Sequence, residues 1–157
     1  MKILAVDFDG VISDSALKSL FVSHNAYCKY FGSQVKKNFG GELFTFENWE
    51  EMQKQYKKEM DYYHRLRSYL ELSGDFFVII KIMEEQIQIK DQQAFIAYRN
   101  QIQFDYQFFR ELFFKEKEKW QKKSFKKWFF LSPVFKEVVK GIQRFLQEGQ
   151  KVVIATS

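Results

Sequence analysis

Apolar positions follow two different patterns along the 157-residue chain, with short continuous runs at its two ends and helical spacing between them. The run at 3–6 and the run V-V-I-A-T-S that Lys151 begins predict strands of the kind that are buried in parallel sheets. Between them, apolar residues three or four apart predict helices over 17–31, 47–70, 76–83, 91–119 and 134–148. A helix over 76–83 would be apolar on nearly every side, so a strand is not excluded for this segment. Residues 33–46 are expected to form a loop.

The order of these elements predicts an α/β protein with a helical insertion. A strand, an insertion, an amphipathic helix, Gly149 and a second strand follow each other as in a βαβ unit. Of the 30 aromatic residues, 27 lie between Ala16 and Leu131, so the middle of the chain differs from its ends in composition. We therefore expect residues 1–15 and 132–157 to form part of an α/β core, and residues 16–131 to form the insertion, with its aromatic stripe as the helical core.

The excess positive charge of the chain is concentrated in one basic segment. Residues 115–127 contain seven lysines and two glutamates, so this segment carries as much net charge as the whole chain, which is +5. Such a run is expected to be a solvated helix face, with a polyanion site as the alternative. No apolar run reaches the ~20 residues of a membrane span, and the start of the chain lacks a signal-peptide core. Together with the single Cys28, expected to be a buried thiol, this predicts a cytoplasmic protein with no membrane partner.

The candidate chemistry lies where the first strand ends. Asp7 and Asp9 follow the run 3–6, and side chains two residues apart in a strand point to the same side. Ligands of open α/β sheets bind beyond the carboxyl ends of the strands, so both carboxylates are placed to reach one site. The structural alternative is an acidic turn whose aspartates only cap and solvate the chain, and a bare D-x-D also occurs at metal sites of sugar-nucleotide transferases. His24 lies on an apolar helix face and is expected to be a core histidine rather than a substrate contact.

The stretch from Asp7 to Ser15, D-F-D-G-V-I-S-D-S, resembles the first signature of the haloacid dehalogenase (HAD) superfamily. The strand that begins at Lys151 and leads to Thr156 resembles the second signature of that family. The resemblance implies a HAD-like Rossmannoid core, of which two parallel strands are present, with an insertion similar to the helical cap of phosphoglycolate-phosphatase-like members. It covers both ends of the chain, and the middle only in its position and helicity.

The resemblance also implies roles for individual residues. Asp7 would be the nucleophile that forms an aspartyl phosphate, and Asp9 the general acid and base. Mg²⁺ would be held by the Asp7 side chain and the Asp9 backbone carbonyl. Thr156, Ser157 and Gly10 would bind the phosphoryl group. The implied activity is hydrolysis of small phosphorylated metabolites, while dehalogenation and phosphotransfer stay open within the same family.

The family's lysine signature and its acidic pair normally lie downstream of the second signature, and no residue here can be assigned to either role. We therefore expect the chain to be the N-terminal portion of a longer hydrolase, to be inactive by itself and to self-associate through exposed core strands. The alternative function is a non-catalytic module whose basic, aromatic insertion binds a polyanion or a protein. Nucleic acid is not expected as the partner, because no recognised nucleic-acid-binding motif is present.

Overall fold

The computed structural model describes residues 2–32 and 38–155, which form a mixed α/β structure that is mostly helical. The chain divides into two compact units. The sheet unit consists of Met1–Lys18 and Phe125–Ser157, and the helical unit of Ser19–Ser124. In chain order the elements are β1 (Ile3–Asp7), α1 (Ala16–Phe31), α2 (Trp49–Gln55), α3 (Lys57–Arg67), α4 (Asp75–Glu84), α5 (Gln92–Arg99), α6 (Tyr106–Lys123), α7 (Phe125–Phe130), α8 (Lys136–Gln147) and β2 (Lys151–Ala155).

The two predicted strands pair in parallel, as expected, within the sheet unit. Ile3 lies opposite Lys151, and Asp7 lies opposite Ala155 at the carboxyl end of both strands. Helix α8, which directly precedes β2, packs against it. A parallel pair joined through a preceding helix is the arrangement that the apolar runs and the glycine at 149 predicted. The described residues thus contain one two-stranded parallel sheet.

Helix α1 begins where Asp14 and Ser15 predicted a cap. The Asp14 carboxylate oxygen Oδ1 accepts a hydrogen bond from the backbone N–H of Ala16, at 3.0 Å. The helix ends at Gly32, whose φ of +61° is a left-handed conformation that glycine adopts without a Cβ clash. Both ends of the predicted helix are therefore confirmed, and a side chain and a glycine are responsible for them.

Aromatic rings form the core of the helical unit. Phe77 on α4 stacks on Phe104 with ring centroids 4.1 Å apart, and Phe21 on α1 stacks on Phe44 at 4.3 Å. Phe109 meets Phe77 edge-on at 5.2 Å. Offset stacks and edge-to-face pairs are the arrangements that the ring quadrupoles favour. The prediction that the aromatic stripe forms the core is confirmed. The helix predicted over 76–83 is also confirmed, as α4.

The long helix predicted over 91–119 is wrong, because the chain leaves the helical conformation between α5 and α6. Asp105 adopts an extended backbone, and its Oδ1 accepts the N–H of Phe108 at 2.9 Å. Asp91 caps α5 in the same way through Ala94, at 2.8 Å. Aspartate competes with the helix for backbone N–H groups and so favours its first position. Apolar residues continue at helical spacing across this interruption, so the spacing does not reveal that a second helix begins at Tyr106.

The helix predicted over 47–70 is also divided. Tyr56, with φ −111° and ψ 36°, separates α2 from α3, and α3 ends at Arg67. Of the predicted loop 33–46, residues 33–37 lie outside the described part. The remainder contains a tight turn at Asn38–Gly41, in which Phe39 and Gly40 have positive φ. Among the described residues, no helix is long and apolar enough to cross a bilayer.

Candidate functional site

The candidate site is built on the last residue of β1. Asp7 is exposed, and its Oδ1 accepts the backbone N–H of Phe8 at 2.7 Å. The same N–H lies 3.1 Å from the carbonyl oxygen of Ala155 on β2, so it is shared between side chain and strand partner. This contact holds the Asp7 carboxylate beside the strand end, the position at which α/β sheets bind ligands.

A tight turn follows Asp7 and carries the second aspartate. The carbonyl oxygen of Phe8 accepts the N–H groups of Ile12 and Ser13, both at 3.0 Å. Gly10 donates to the carbonyl of Ser13 at 2.7 Å and has a φ of +80°. A Cβ at Gly10 would contact nothing within 4 Å, so its backbone conformation, not crowding, requires glycine here. Asp9 is exposed and forms an isolated parallel bridge with Ser13.

Asp9 does not follow the strand alternation from which its position beside Asp7 is predicted. Strand β1 ends at Asp7, so Asp9 belongs to the turn, and the alternation of side chains along a strand does not describe it. The two exposed carboxylates nevertheless lie at the same end of the sheet, because a single residue, Phe8, separates Asp7 from Asp9 in the sequence. Their approach to a common ligand therefore depends on the turn and not on strand periodicity.

Segments far apart in sequence hold this turn in place within the sheet unit. The Ser13 hydroxyl donates to the carbonyl of Ser132 at 3.0 Å, and Asp14 N–H donates to the carbonyl of Pro133 at 2.9 Å. In return, Phe135 N–H donates to the carbonyl of Ile12 at 2.9 Å. The sequence analysis assigned no such role to these residues. The only signal was the position of Ser13 inside the aspartate motif, a short polar residue directly after the apolar Val11 and Ile12.

Two of the predicted phosphate-binding residues, Thr156 and Ser157, lie outside the described residues. The strand that leads to them ends at Ala155, directly opposite Asp7. The third, Gly10, is exposed in the turn. The structure therefore brings Asp7, Asp9 and Gly10 to one end of the sheet.

Oxygen donors that suit Mg²⁺ are present at this end of the sheet. Mg²⁺ is usually bound through one or two carboxylates, keeps several waters, and takes further oxygens from substrate phosphates. The Asp7 carboxylate is exposed, and the Asp9 carbonyl belongs to a turn whose hydrogen bonds use the carbonyls of Phe8 and Ser13. The described part of the chain contains no cluster of three or more histidine, cysteine, aspartate or glutamate side chains. These donors fit a largely hydrated Mg²⁺ and not a site enclosed by protein ligands.

His24 and Cys28 form a buried pair in the helical unit. The carbonyl oxygen of Glu42 lies 2.9 Å from His24 Nε2, and since a carbonyl can only accept, Nε2 carries the proton. Burial lowers the pKa of His24 to about 4, an effect that the Glu42 bond only partly offsets. Burial likewise raises the pKa of the Cys28 thiol to about 11. A neutral imidazole and a protonated thiol agree with the core role expected for His24 and with the buried thiol expected for Cys28.

The basic segment is tied to acidic side chains at two points in the helical unit. Lys122 Nζ lies 3.2 Å from Glu118, four residues earlier on α6, and Lys123 Nζ lies 2.8 Å from both carboxylate oxygens of Glu47. Direct hydrogen bonding to Lys123 lowers the pKa of Glu47 below its usual value. Exposed pairs of this kind are the behaviour expected of a solvated helix face.

The helical unit also contains an open groove with a volume of 680 Å³. Arg65 and Lys58 face it together with Glu59 and Asp61, so its charges balance. The Arg65 guanidinium lies 4.8 Å from the ring centroid of Tyr62, whose hydroxyl donates to the Ile87 carbonyl. Because its charged groups balance, the groove does not indicate which ligand it would prefer.

Comparison with models of known protein families, with characterised proteins and with solved structures found no match. Functional interpretation therefore rests on the residues at the end of β1 and on the surfaces of the two units.

Proposed function

We propose that the sheet unit carries the nucleophile and the acid/base group of a HAD-like phosphatase that hydrolyses small phosphate monoesters. The observation that supports this most directly is the position of Asp7. It is the last residue of a parallel strand and is exposed there. The turn after it presents a second exposed carboxylate two residues later. The proposal includes the finer HAD-like Rossmannoid fold and a helical cap at residues 16–131.

In this mechanism Asp7 and Asp9 divide the chemistry between them. A carboxylate oxygen of Asp7 attacks phosphorus in line, forming an aspartyl phosphate, while the bond to the ester oxygen breaks and Asp9 gives that oxygen its proton. In the second step Asp9 takes a proton from water, whose oxygen attacks the same phosphorus. The bond to Asp7 then breaks, which releases inorganic phosphate and restores both carboxyl groups.

The remaining proposed contacts hold the phosphoryl group. The Asp7 carboxylate and the Asp9 carbonyl would hold Mg²⁺, which when bound offsets the repulsion between the nucleophile and an anionic substrate. The Thr156 and Ser157 hydroxyls and the backbone at Gly10 would hold phosphoryl oxygens. Phosphoryl transfer depends chiefly on such positioning and charge neutralisation.

The proposal leaves two family roles unassigned, the phosphate-neutralising lysine and the acidic pair. The proposed substrate class is a small phosphorylated metabolite, and the proposed location is the cytoplasm.

The test compares Asp7→Asn and Asp9→Asn in the longest protein product of this gene, with a generic phosphate ester and Mg²⁺. Asp7→Asn should abolish turnover, and Asp9→Asn should lower it by about 10²- to 10⁴-fold, the usual contribution of general acid–base catalysis. Glu148→Gln, which removes an exposed carboxylate from the same unit, is the matched control and should leave the rate unchanged. Turnover by Asp7→Asn at the wild-type rate would overturn the mechanism.

The second candidate function is a non-catalytic module that binds a polyanion or a protein, and the charge of residues 115–127 favours it. Changing Lys122, Lys123, Lys126 and Lys127 to Gln should leave helical circular dichroism intact, since all four are exposed. Binding to single-stranded nucleic acid should be weak and steeply dependent on salt. Tight binding that survives high salt and is lost in this variant would favour the module over the phosphatase.

A further inference from the structure

Helix α7 of the sheet unit presents an unusual surface, in which two exposed lysines are flanked by exposed phenylalanines. Phe125, Phe129 and Phe130 are 69%, 49% and 70% exposed. Lys126 and Lys127, which lie between them in sequence, are exposed as well. We call these five residues the α7 surface. Exposed rings grouped on one short helix usually mark an interaction site, whereas single exposed apolar residues need no explanation.

The remaining residue of the helix, Trp128, shows how this surface is held in place. Trp128 is buried, and Lys18 at the start of α1 lies 5.1 Å from the centroid of its ring. At 100° per residue, Phe130 and Lys126 lie on the side of α7 opposite Trp128, Phe129 and Lys127 flank it, and Phe125 lies one turn before it, where its ring is still exposed. The helix is therefore attached through its tryptophan and directs its phenylalanines outward.

Charge around α7 points to an anionic partner. From Phe125 to Lys136, within the sheet unit, the sequence contains three lysines and no aspartate or glutamate. Glu118 and Glu137 are the nearest carboxylates in sequence on either side. A partner for this surface thus has to combine negative charge with a place to bury phenyl rings.

Ring geometry separates the two anionic partners that could meet both conditions. Bases of a single strand stack on open aromatic faces. The rings of Phe129 and Phe130 are inclined at 75° to each other, and Lys18 lies 5.9 Å from the centroid of the Phe129 ring. An acyl-chain boundary has no such requirement, because it accepts rings in any orientation while lysines meet the headgroups.

We propose that the α7 surface binds anionic lipid headgroups and places its phenylalanines at the membrane interface. The sequence predicts no membrane partner on the ground that no apolar run is long enough to span a bilayer. This surface lies on a membrane and does not cross it, so the two statements concern different modes of association. The proposal is independent of the chemistry proposed for Asp7.

The test is co-sedimentation with vesicles of phosphatidylcholine alone or with a one-third share of phosphatidylserine. The chain should bind the anionic vesicles and bind the neutral ones at least about 10-fold more weakly, because each lysine near the anionic surface contributes about a 5-fold factor. Lys126→Gln/Lys127→Gln should weaken binding about 30-fold, and Phe125→Ala/Phe130→Ala about 100-fold.

Matched controls come from the helical unit. Lys57→Gln/Lys58→Gln removes two adjacent exposed lysines of α3, and Phe114→Ala removes a partly exposed phenylalanine of α6. Both should bind like the wild type, with unchanged circular dichroism in all variants. Equal binding by the α7 variants and the controls would overturn the proposal, as would wild-type binding to neither vesicle. Tighter binding to oligothymidylate than to anionic vesicles, lost in the phenylalanine variant, would assign the surface to nucleic acid instead.

Discussion

The helical unit and the sheet unit bury their apolar residues to very different extents. In the helical unit, Tyr63, Phe21, Phe77 and Phe95 are almost completely buried. In the sheet unit, α8 has no buried residue, although Val138, Val139, Ile142, Phe145 and Leu146 give it one apolar face.

The difference follows from how each unit completes its backbone hydrogen bonds and covers its apolar faces. Helices complete their hydrogen bonds internally and can surround one another, so short helices can close over a shared core. A two-stranded sheet has two faces and two outer edges to cover, and α8 packs against β2. The aromatic helical unit therefore covers most of its own apolar surface, whereas α8 in the sheet unit leaves its apolar face exposed.

The largest expected effect is the loss of a central ring in the helical unit. Phe77→Ala should lower the free energy of unfolding by about 4 kcal/mol, because Phe77 is buried and stacked on Phe104. Ile3→Ala in the sheet unit, where the side chain is 63% exposed, should cost under about 1 kcal/mol. Urea unfolding followed by circular dichroism measures both. Equal losses would mean that the two units do not differ in packing as described.

Acid should weaken the helical unit through His24. Its pKa is near 4 in the folded chain and near 6.5 when unfolded, so between these values only the unfolded state binds the proton. Stability should therefore be complete above pH 6.5, fall by about 3 kcal/mol as the pH is lowered to 4, and level off below that. The free energy of unfolding, measured across this pH range, tests the sign and the size of the loss.

His24→Gln is the control, because it keeps a donor for the Glu42 carbonyl. This variant should be less stable at neutral pH and should lack the loss of stability between pH 6.5 and 4. A slope unchanged in that variant would assign the effect to other groups.

Association should depend on the sheet unit. Ile3, Ala5 and Val153 share one face of the sheet, because Ala5 lies opposite Val153 and side chains alternate along each strand. Exposed apolar strands favour pairing with other chains, so the wild type should self-associate as its concentration rises in sedimentation velocity. Val153→Lys should weaken this association by at least about 10-fold, by placing a charge on that face.

Leu72→Lys is the control for this experiment. Leu72 is an exposed apolar residue of the helical unit, at 61%, and is comparable to Val153 at 54%. Its replacement should leave association unchanged. If both variants dissociate alike, the added charge and not the sheet face is responsible.

The smallest expected effect concerns the helix starts that divide the predicted long helix. Asp91→Ala and Asp105→Ala should each lower the free energy of unfolding by about 1 kcal/mol, because each removes a hydrogen bond to a first-turn N–H. Asp61→Ala, which removes only an exposed pair with Lys57, should cost about 0.5 kcal/mol or less. Thermal unfolding distinguishes the two classes. Equal costs for all three would show that the aspartates do not cap their helices.

Much of the secondary structure could be predicted because it depends on neighbours in sequence. The apolar runs at 3–6 and 151–155 form strands, and α1 begins and ends at its cap and its glycine. The breaks at Tyr56 and near Asp105 were missed, because apolar spacing continues across them. Phe104 stacks on Phe77 inside this second break, so a distant contact stabilises a local interruption that periodicity cannot reveal.

For the candidate site, the sequence by itself determined the two carboxylates, the glycine between strand and helix, and the strand end that presents them. These features need only the identity and order of residues 7–15. The tertiary structure alone decided that Asp9 belongs to a turn, that Ser13 is bonded to Ser132, and that Trp128 is buried while the neighbouring phenylalanines are exposed. The Ser13 bond and the Lys18 contact of Trp128 join residues more than a hundred positions apart in the chain, and such partners become neighbours only when the chain has folded.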